Sequence, residues 1–288
     1  MPNSPGSLRG ISPRLSNSYI FLAIVSIIIG ILIFNFFIKI PHVGVITIDT
    51  IIMDEETKDE IVKTLRYARD DNSIKAVVLE MNCPGGEASK IEEIYLEVLR
   101  LRTKKPVVTS IDGMGVSGGY YIAAASNFIY AKPSSDIGNI GVISTLPSSE
   151  SLDEERIISG PYKITQSKKH YASQVEMIKQ YFVESIIAQR KDRLNVDKET
   201  LSRAEIYTGI EGMRYGLIDG IGTRSDAIEK AASYAGIANY GLVDINRAVS
   251  INEYAPDLKS PSSNDTLSKT DTVPANYYFY FTWESEGL

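Results

Sequence analysis

One short segment places a serine where acyl transfer chemistry is feasible. The sequence GVSGG, residues 115–119, sets Ser117 between glycines at the point where a strand is predicted to pass into a helix. The positive end of the helix dipole then lies near the hydroxyl, and the glycines leave room for a substrate carbonyl. The Gly118 N–H is a candidate donor to an oxyanion. The structural alternative for Ser117 is an N-cap serine that only satisfies the helix start.

A second glycine motif follows an earlier predicted strand. Pro84-Gly85-Gly86 comes directly after the apolar segment KAVVLEM. Glycines at a strand end permit close approach of the backbone to a ligand and direct N–H groups at a developing oxyanion. A plain turn is the alternative interpretation. Two such motifs on successive β–α units favour one shared active site.

The candidate base is a lysine, because neither of the two histidines is well placed. His42 lies just beyond an apolar segment, at the entry to the first strand, and His170 lies in a polar stretch. A lysine can accept a proton when burial lowers its pKa. Lys163 has apolar neighbours, whereas Lys168 adjoins another lysine and is typical of a solvated face. An ordinary surface lysine is the alternative for Lys163.

Composition excludes several other classes of protein. The chain has 288 residues, 43% of them hydrophobic and 23% charged, which is typical of a globular protein. Its net charge of -6 provides no basic field for nucleic acid. The one cysteine, Cys83, excludes an intrachain disulfide and a cysteine zinc cluster. With no GxxxxGK or HExxH motif, the sequence predicts neither a metal nor a nucleotide cofactor.

Strands and helices alternate after residue 41, which predicts an α/β domain with largely parallel pairing. Predicted strands cover Val43–Ile52, Lys75–Met81, Pro106–Ile111, Phe128–Ala131 and Gly141–Thr145. Predicted helices cover Asp54–Asp71, Ser89–Arg102, Tyr171–Arg193 and Asp226–Ala235, with another that begins near Ser117 and a turn with a short helix over Ile206–Gly216. The catalytic domain is expected over residues 41–250.

An apolar run, Tyr19–Ile38, precedes this domain and predicts a transmembrane anchor. A helix of that length spans roughly 30 Å, the thickness of the hydrocarbon core. Arg9 and Arg14 precede the run without any acidic residue, which predicts a cytoplasmic N-terminus over residues 1–18 and an extracytoplasmic catalytic domain. The enzyme is thus expected to be a single-pass protein of the cell membrane.

The C-terminal residues 256–288 are predicted to form a flexible tail, since their composition shifts to Ser, Asn, Asp, Pro and Thr without periodicity. The end of this tail, Tyr277–Trp283, is densely aromatic. Two interpretations of the aromatic end are open: it occupies the peptide groove of a neighbouring copy, or it contacts the membrane surface.

The segments MNCPGG, GVSGGYYIAAAS, DIGNIGVI and SGPYK occur in this order and at intervals that resemble the signal peptide peptidase SppA family. The resemblance covers Val43 to Val243 and is to the short form of the family. It implies the Clp protease/crotonase fold of stacked β-β-α units, a Ser-Lys dyad and a bowl-shaped homo-oligomer. It also implies hydrophobic peptides and spent signal peptides as substrates.

Carried over residue by residue, the resemblance assigns Ser117 as nucleophile and Lys163 as general base. Gly86 and Gly118 match the oxyanion hole. The chain departs from the family pattern at Cys83, where a serine is usual. It departs again at Asn139, which takes the place of a serine that orients the lysine. The asparagine amide oxygen can still accept a hydrogen bond from the lysine, so Asn139 is the lysine-orienting candidate.

Three other functions are compatible with parts of this pattern. A related membrane protease that trims a stomatin-like partner also uses a Ser-Lys dyad, but that group typically carries additional C-terminal spans. A crotonase-type acyl-CoA enzyme shares the fold, yet generally uses carboxylates and works in the cytosol. An inactive scaffold that only binds hydrophobic peptides is the third.

Overall fold

The structure is a computed structural model that describes residues 17–37, 40–145, 159–160, 163, 167–254 and 277–280. The chain divides into two units, residues 1–40 and 41–288. In the first unit, α1 covers Asn17–Phe37, and described apolar side chains such as Phe21 and Ile27 are exposed. Over the described residues, the structure contains no helix that is long and apolar enough to cross a membrane.

The second unit alternates strands and helices. Its strands are β1 His42–Ile48, β2 Ile74–Cys83, β3 Gly85–Glu87, β4 Val107–Val116, β5 Phe128–Ala131, β6 Asp136–Gly138, β7 Ile143–Ser144, β8 Ile206–Thr208, β9 Gly220–Ile221, β10 Gly241–Asp244 and β11 Tyr277–Tyr280. Its helices are α2 Glu55–Asp70, α3 Ala88–Arg102, α4 Gly118–Ala124, α5 Lys168–Arg190, α6 Lys198–Leu201, α7 Gly209–Arg214, α8 Arg224–Tyr234 and α9 Ile245–Tyr254.

The main sheet has the strand order β10-β1-β2-β4-β5-β9, and every pairing along this path is parallel. β6 lies parallel to the end of β4, and β8 pairs antiparallel with β6. The α/β class and largely parallel pairing predicted from the sequence are therefore confirmed. The two glycine motifs lie at the C-terminal ends of β2 and β4. These two ends lie side by side, since Cys83 pairs with Gly115.

Helices cover both faces of this sheet, as the apolar runs of its strands require. One core cluster lies between the sheet and helices α2 and α3, and includes Ile46, Leu79 and Ile91. On the other face, Val45 and Val78 pack with alanines of α8. The alternating side chains of each strand thus divide between two layers of core.

A second, three-stranded sheet has the order β3-β11-β7 with antiparallel pairing. β3 directly follows β2 and precedes α3, so this part of the chain forms a β-β-α unit. β11 comes from the segment that the sequence assigned to the tail, and lies between the other two strands. The domain boundaries themselves stay predictions.

Several strands differ in length from the sequence prediction, among them the first strand and the strand that leads to Ser117. The first ends at Ile48 rather than Ile52, although Ile52 still forms an isolated parallel bridge with Gly86. The strand expected to end at Ile111 continues to Val116 because its final residues pair with β6. Apolar content did not indicate this extension, since residues 112–115 include Asp and two glycines.

Candidate active site

Ser117 lies at the junction of β4 and α4 in a conformation that is uncommon for a residue with a side chain. Its φ is 52° and its ψ is -122°, and the residue is 1% exposed. Its N–H donates to the Gly138 carbonyl over 2.7 Å, and its own carbonyl accepts from the Tyr121 N–H. A non-glycine residue held at such angles costs on the order of 1–3 kcal/mol, and such strain clusters at functional sites.

The Ser117 side chain makes no capping hydrogen bond to α4. The residue therefore occupies the N-cap position without the bond that would explain a serine there structurally. The N-cap alternative weighed from the sequence does not account for this residue.

Close backbone approach explains the glycines of both motifs. A Cβ on Gly119 would stand 2.2 Å from the Cys83 carbonyl oxygen, so the start of α4 lies directly against the end of β2. A Cβ on Gly86 would stand 1.9 Å from the Ile52 carbonyl oxygen. Both contacts are to backbone, which cannot move aside cheaply. The two motifs are thereby brought to one edge of the sheet.

The orientation of Gly86 follows from its neighbours. Ile52 N–H donates to the Gly85 carbonyl over 2.9 Å, and Glu87 N–H donates to the Ile52 carbonyl over 2.8 Å. Because polar groups alternate along a strand, the N–H and carbonyl of Gly86 point to the opposite edge of β3. Gly118 is the first residue of α4, where N–H groups lack partners within the helix. The role of these two N–H groups as oxyanion donors stays a prediction.

Asn139 lies beside this junction, directly after Gly138. Its φ is 51°, its Nδ2 donates to the Ala204 carbonyl over 2.8 Å, and its N–H donates to the Glu205 carbonyl over 2.8 Å. These bonds fix the side chain and use the amide nitrogen. Within the described residues Oδ1 forms no hydrogen bond, so it remains an acceptor, which is what orienting a lysine requires.

Lys163 is exposed, and its N–H donates to the Gly160 carbonyl over 3.1 Å. Residues 161–162 and 164–166 lie outside the described residues. Among those described, no hydrogen bond or ion pair joins Lys163 to Ser117. The structure thus brings Ser117, Gly118, Gly86 and Asn139 together and does not place Lys163 with them.

Buried aromatic residues hold α4 against the hydrophobic core. Tyr120 is fully buried, and its hydroxyl donates to the Leu217 carbonyl over 2.7 Å. The Tyr121 ring stacks on Tyr95 with 4.2 Å between centroids and packs on Phe182 at 4.6 Å. Burial raises the pKa of both α4 tyrosines. Both tyrosines therefore stay neutral at ordinary pH and pack α4 against the core.

Cys83, which stands where the resemblance expects serine, is buried beside the site. Burial raises the pKa of its thiol to about 12, and the sulfur accepts from the Gly85 N–H over 3.4 Å. A thiol that stays protonated is a poor nucleophile. The residue instead helps to hold the turn that carries the second glycine motif.

Sequence reasoning missed a polar link across the ends of the strands. Asn82 donates from Nδ2 to Asp49 over 2.7 Å, and its Oδ1 accepts from the Met114 N–H over 3.0 Å. These bonds join the segment after β1 and the ends of β2 and β4 at the edge that carries the glycine motifs. The available signal was the polar residues Asp49 and Asn82 near the carboxyl ends of the first two strands, the position where α/β sheets commonly form sites.

Two family models match the chain. Peptidase family S49 matches residues 100–238, and Clp protease matches residues 34–137. The two ranges meet across β4 and α4, and together they include every described residue of the site. The Clp protease match agrees with the β-β-α unit and the parallel sheet.

Several curated relatives are named as proteases. "Protease 4" of Salmonella typhi is 32% identical, over 69% of this chain and 36% of that protein. "Putative signal peptide peptidase SppA" of Enterococcus faecium is 32% identical, over 57% of this chain and 52% of that protein. "Putative protease slr0021" of Synechocystis sp. is 31% identical, over 63% of this chain and 70% of that protein.

The chain spans about a third of the length of Protease 4 but more than two thirds of the Synechocystis relative. The matched ranges contain the strand ends, the Ser117 junction and α4. On these grounds the chain is a member of peptidase family S49, of the SppA group.

Proposed function

We propose that the chain is a serine endopeptidase in which Ser117 is the nucleophile and Lys163 the general base. The observation that carries the proposal is the conformation of Ser117: a buried, strained serine with no capping bond, beside two glycines whose N–H groups can donate. Neither a helix cap nor a core packing role requires that combination. Family membership supports the same assignment.

The proposed reaction is acyl transfer to serine followed by hydrolysis. Ser117 Oγ attacks the scissile carbonyl carbon as its proton passes to the Lys163 amine, and the oxyanion accepts hydrogen bonds from the N–H groups of Gly86 and Gly118. The C–N bond then breaks, and the lysine returns the proton to the leaving amine. Water attacks the acyl-enzyme with the lysine again as base, which releases the new carboxylate and restores Ser117.

The assignment of Lys163 rests on its place in SGPYK and on the acceptor that Asn139 offers. Catalysis requires the segment around Lys163 to bring the amine to Ser117, where Asn139 Oδ1 would orient it. Asn139 would thus take the role of the serine that orients the lysine in the family pattern. Lys168 is exposed at the start of α5 and provides a natural comparison residue.

Hydrophobic peptides, including spent signal peptides, are the substrates we propose. The Enterococcus relative is named as a putative signal peptide peptidase, which supports this choice. So do large exposed apolar side chains on the elements that contact β11 and β7, namely Leu96 of α3, Ile143 of β7, and Met177 and Tyr181 of α5. Apolar surface of this kind is typical of a site that binds another chain.

Membrane anchoring and self-assembly are part of the same proposal. The anchor is supported by the sequence alone: an uncharged apolar run over residues 19–38 that follows Arg9 and Arg14. Such an anchor would hold the catalytic domain outside the cytoplasm and near membrane-bound peptides. The homo-oligomer is supported by the resemblance to the short SppA form, because one catalytic unit encloses an apolar peptide poorly.

Ser117→Ala tests the activity, with Ser250→Ala on an exposed turn of α9 as the matched control. Hydrolysis of a fluorogenic apolar peptide by the full chain in detergent should fall by at least about three decades in the first variant and stay unchanged in the second. Thermal unfolding of both variants checks that they are folded. More than a tenth of normal turnover in Ser117→Ala would exclude Ser117 as nucleophile.

The substrate class is tested by mass spectrometry of separate digests. We expect cleavage of synthetic signal peptides and little cleavage of folded soluble proteins, since the sequence carries no ATPase motif with which to unfold them. Efficient cleavage of the folded proteins, with signal peptides left whole, would contradict the substrate proposal while leaving the peptidase activity intact.

A further inference from the structure

A cleft with basic walls lies at the edge of the main sheet opposite to Ser117. It encloses about 350 Å³ between the start of β2, the end of α2 and the turn that joins α3 to β4. Small-molecule sites commonly enclose roughly 300–1,000 Å³. The polar lining of the cleft consists of Arg69, Asp70, Asn72, Lys75, Lys104 and Lys105. In a chain with a net charge of -6, this lining gathers four cations and one carboxylate.

Lys105 is held in the cleft by the end of α2. Its Nζ donates to the carbonyl oxygens of Ala68 and Asp71, over 2.6 Å each. An ammonium group has three N–H donors, so one remains for a ligand. Burial lowers the pKa of Lys105, and the carboxylate of Asp71 opposes only part of this shift. The charges of Lys75 and Lys104 lower the pKa further, so an anion between the lysines would relieve their repulsion.

The positive charge in the cleft exceeds what its one carboxylate can neutralise. Lys75 is exposed and forms no hydrogen bond or ion pair within the described residues. Lys104 is also exposed, and its Nζ lies 3.7 Å from a carboxylate oxygen of Asp70. That carboxylate already accepts two hydrogen bonds from Arg69, over 3.0 and 3.1 Å. The cleft therefore keeps an excess of positive charge on its lysines.

The cleft lies where the chain enters the catalytic unit. β1 and β2 are parallel, and His42 pairs with Ile74, the residue before Lys75. The His42 N–H also donates to the Ser73 carbonyl over 2.8 Å. In the sequence, only residues 39–41 separate the predicted membrane span from β1. The proposed anchor would therefore hold this edge of the sheet close to the lipid headgroups.

From these contacts we infer that the cleft formed by Lys75, Lys104 and Lys105 binds the phosphate group of an acidic phospholipid. A phosphodiester accepts charge-assisted hydrogen bonds from lysine, and basic residues next to a membrane attract acidic lipids. The inference goes beyond the proposed peptidase activity and rests on the proposed anchor for the source of the phosphate. The ten residues of β4 separate the cleft from Ser117 by about 30 Å, so a headgroup bound here would hold the domain without blocking the candidate active site.

Native mass spectrometry of the full chain in a nonionic detergent tests the inference. Phosphatidylglycerol, phosphatidylcholine with the same acyl chains, and ammonium phosphate are added separately, and the fraction of chains with one bound ligand gives an apparent dissociation constant. Four chains are compared: wild type, Lys75→Ala with Lys104→Ala, Asp70→Asn, and Lys198→Ala with Arg214→Ala. The last is the matched control, because it removes two exposed positive charges that lie outside the cleft. Thermal unfolding checks that all four chains are folded.

We expect the wild type to bind phosphatidylglycerol at least about tenfold more tightly than phosphatidylcholine, and the cleft double variant to lose at least about tenfold in affinity for phosphatidylglycerol. Asp70→Asn should bind this lipid at least about threefold more tightly, because it removes the carboxylate from the lining. The control should match the wild type. Equal affinity of all four chains for phosphatidylglycerol, or of the wild type for both lipids, would overturn the inference. Binding of ammonium phosphate without a preference between the lipids would also overturn it, because the cleft would then be a site for free phosphate only.

These measurements need no catalysis, so they separate the inference from the proposed function. A chain that hydrolyses no peptide but binds phosphatidylglycerol through the cleft lysines keeps the lipid site without being a peptidase. A chain that hydrolyses peptides and shows no lysine-dependent lipid binding is a peptidase without this site.

Discussion

The N–H of Ser117 donates to the carbonyl oxygen of Gly138 over 2.7 Å. This bond ties the end of β4 to the residue before Asn139. It also helps hold Ser117 at a φ that an alanine or serine would not adopt freely. One hydrogen bond thus joins Ser117, the strained candidate nucleophile, to the loop that carries Asn139, the candidate lysine-orienting residue.

Ser117→Gly should be more stable than Ser117→Ala. Glycine removes a strain on the order of 1–3 kcal/mol, and loses about 0.5–1 kcal/mol through its greater freedom when unfolded. We expect a net gain of about 1 kcal/mol for glycine over alanine in chemical denaturation, with no activity in either variant. Equal stability would show that the conformation at residue 117 is not strained.

Lys163→Ala should abolish peptide hydrolysis, while Lys168→Ala should change it little. The base must take the Ser117 proton, so its loss should lower kcat by at least about two decades with a small change in KM. Steady-state kinetics of both variants on one apolar peptide make the comparison. An inactive Lys168→Ala beside an active Lys163→Ala would move the base to residue 168.

The sequence predicted the elements that local patterns define. Apolar β-branched runs indicated β1 and β2, and helical spacing indicated α2 and α3, because these elements are buried on predictable faces. Ser117, Gly118 and Gly86 became candidates because the sequence places glycines beside a serine at a predicted strand-to-helix junction and directly after a predicted strand. Asn139 could be predicted only from the family resemblance, because its hydrogen bonds to Ala204 and Glu205 depend on tertiary contacts.

Pairings between strands that are far apart in the chain could not be predicted from the sequence. The continuation of β4 to Val116 depends on β6, and nothing in residues 112–115 is typical of a strand. The pairing of Tyr278–Tyr280 with Gly85–Glu87 joins segments about 190 residues apart. An aromatic run indicates apolar contact but not its partner. The register that brings Phe279 opposite Gly86 became visible only in the fold.

Asp219→Asn should destabilise the catalytic unit strongly. Arg190 is 1% exposed and donates to both carboxylate oxygens of Asp219, over 2.9 and 2.8 Å. Its Nε donates to the Gly216 carbonyl over 2.9 Å, so the pair fastens the end of α5 to the turn before β9. Removing one charge of a buried pair costs about 3–5 kcal/mol.

The exposed pair of Glu184 and Lys198 provides the control for this prediction. Glu184→Gln should change the unfolding free energy by less than about 0.5 kcal/mol, because solvent screens exposed charges. Urea denaturation of the two variants and the wild type makes the comparison. Equal effects of the two substitutions would mean that the Arg190 charge finds another partner or reaches solvent.

Glu97 joins α3 to α2 and should make stability depend on acid pH. Its side chain is 3% exposed and accepts hydrogen bonds from Arg66 over 2.9 Å, from Arg69 over 3.1 Å and from Arg100 over 2.7 Å. Burial by itself raises the pKa of Glu97, but the hydrogen bonds and charges of the arginines outweigh it, so the pKa lies below its ordinary value.

A carboxyl group whose pKa is lower in the folded chain stabilises the fold fully above its unfolded pKa, about 4.3, and loses that contribution as the pH falls through the folded pKa. Glu97→Gln should therefore cost about 1–3 kcal/mol near pH 7, with a smaller difference from wild type below about pH 4. The exposed Glu60→Gln is the matched control on α2 and should cost little at either pH. Thermal unfolding of the three chains at both pH values decides: a Glu97→Gln difference that stays constant or grows on acidification would show that the carboxylate charge is not what joins the two helices.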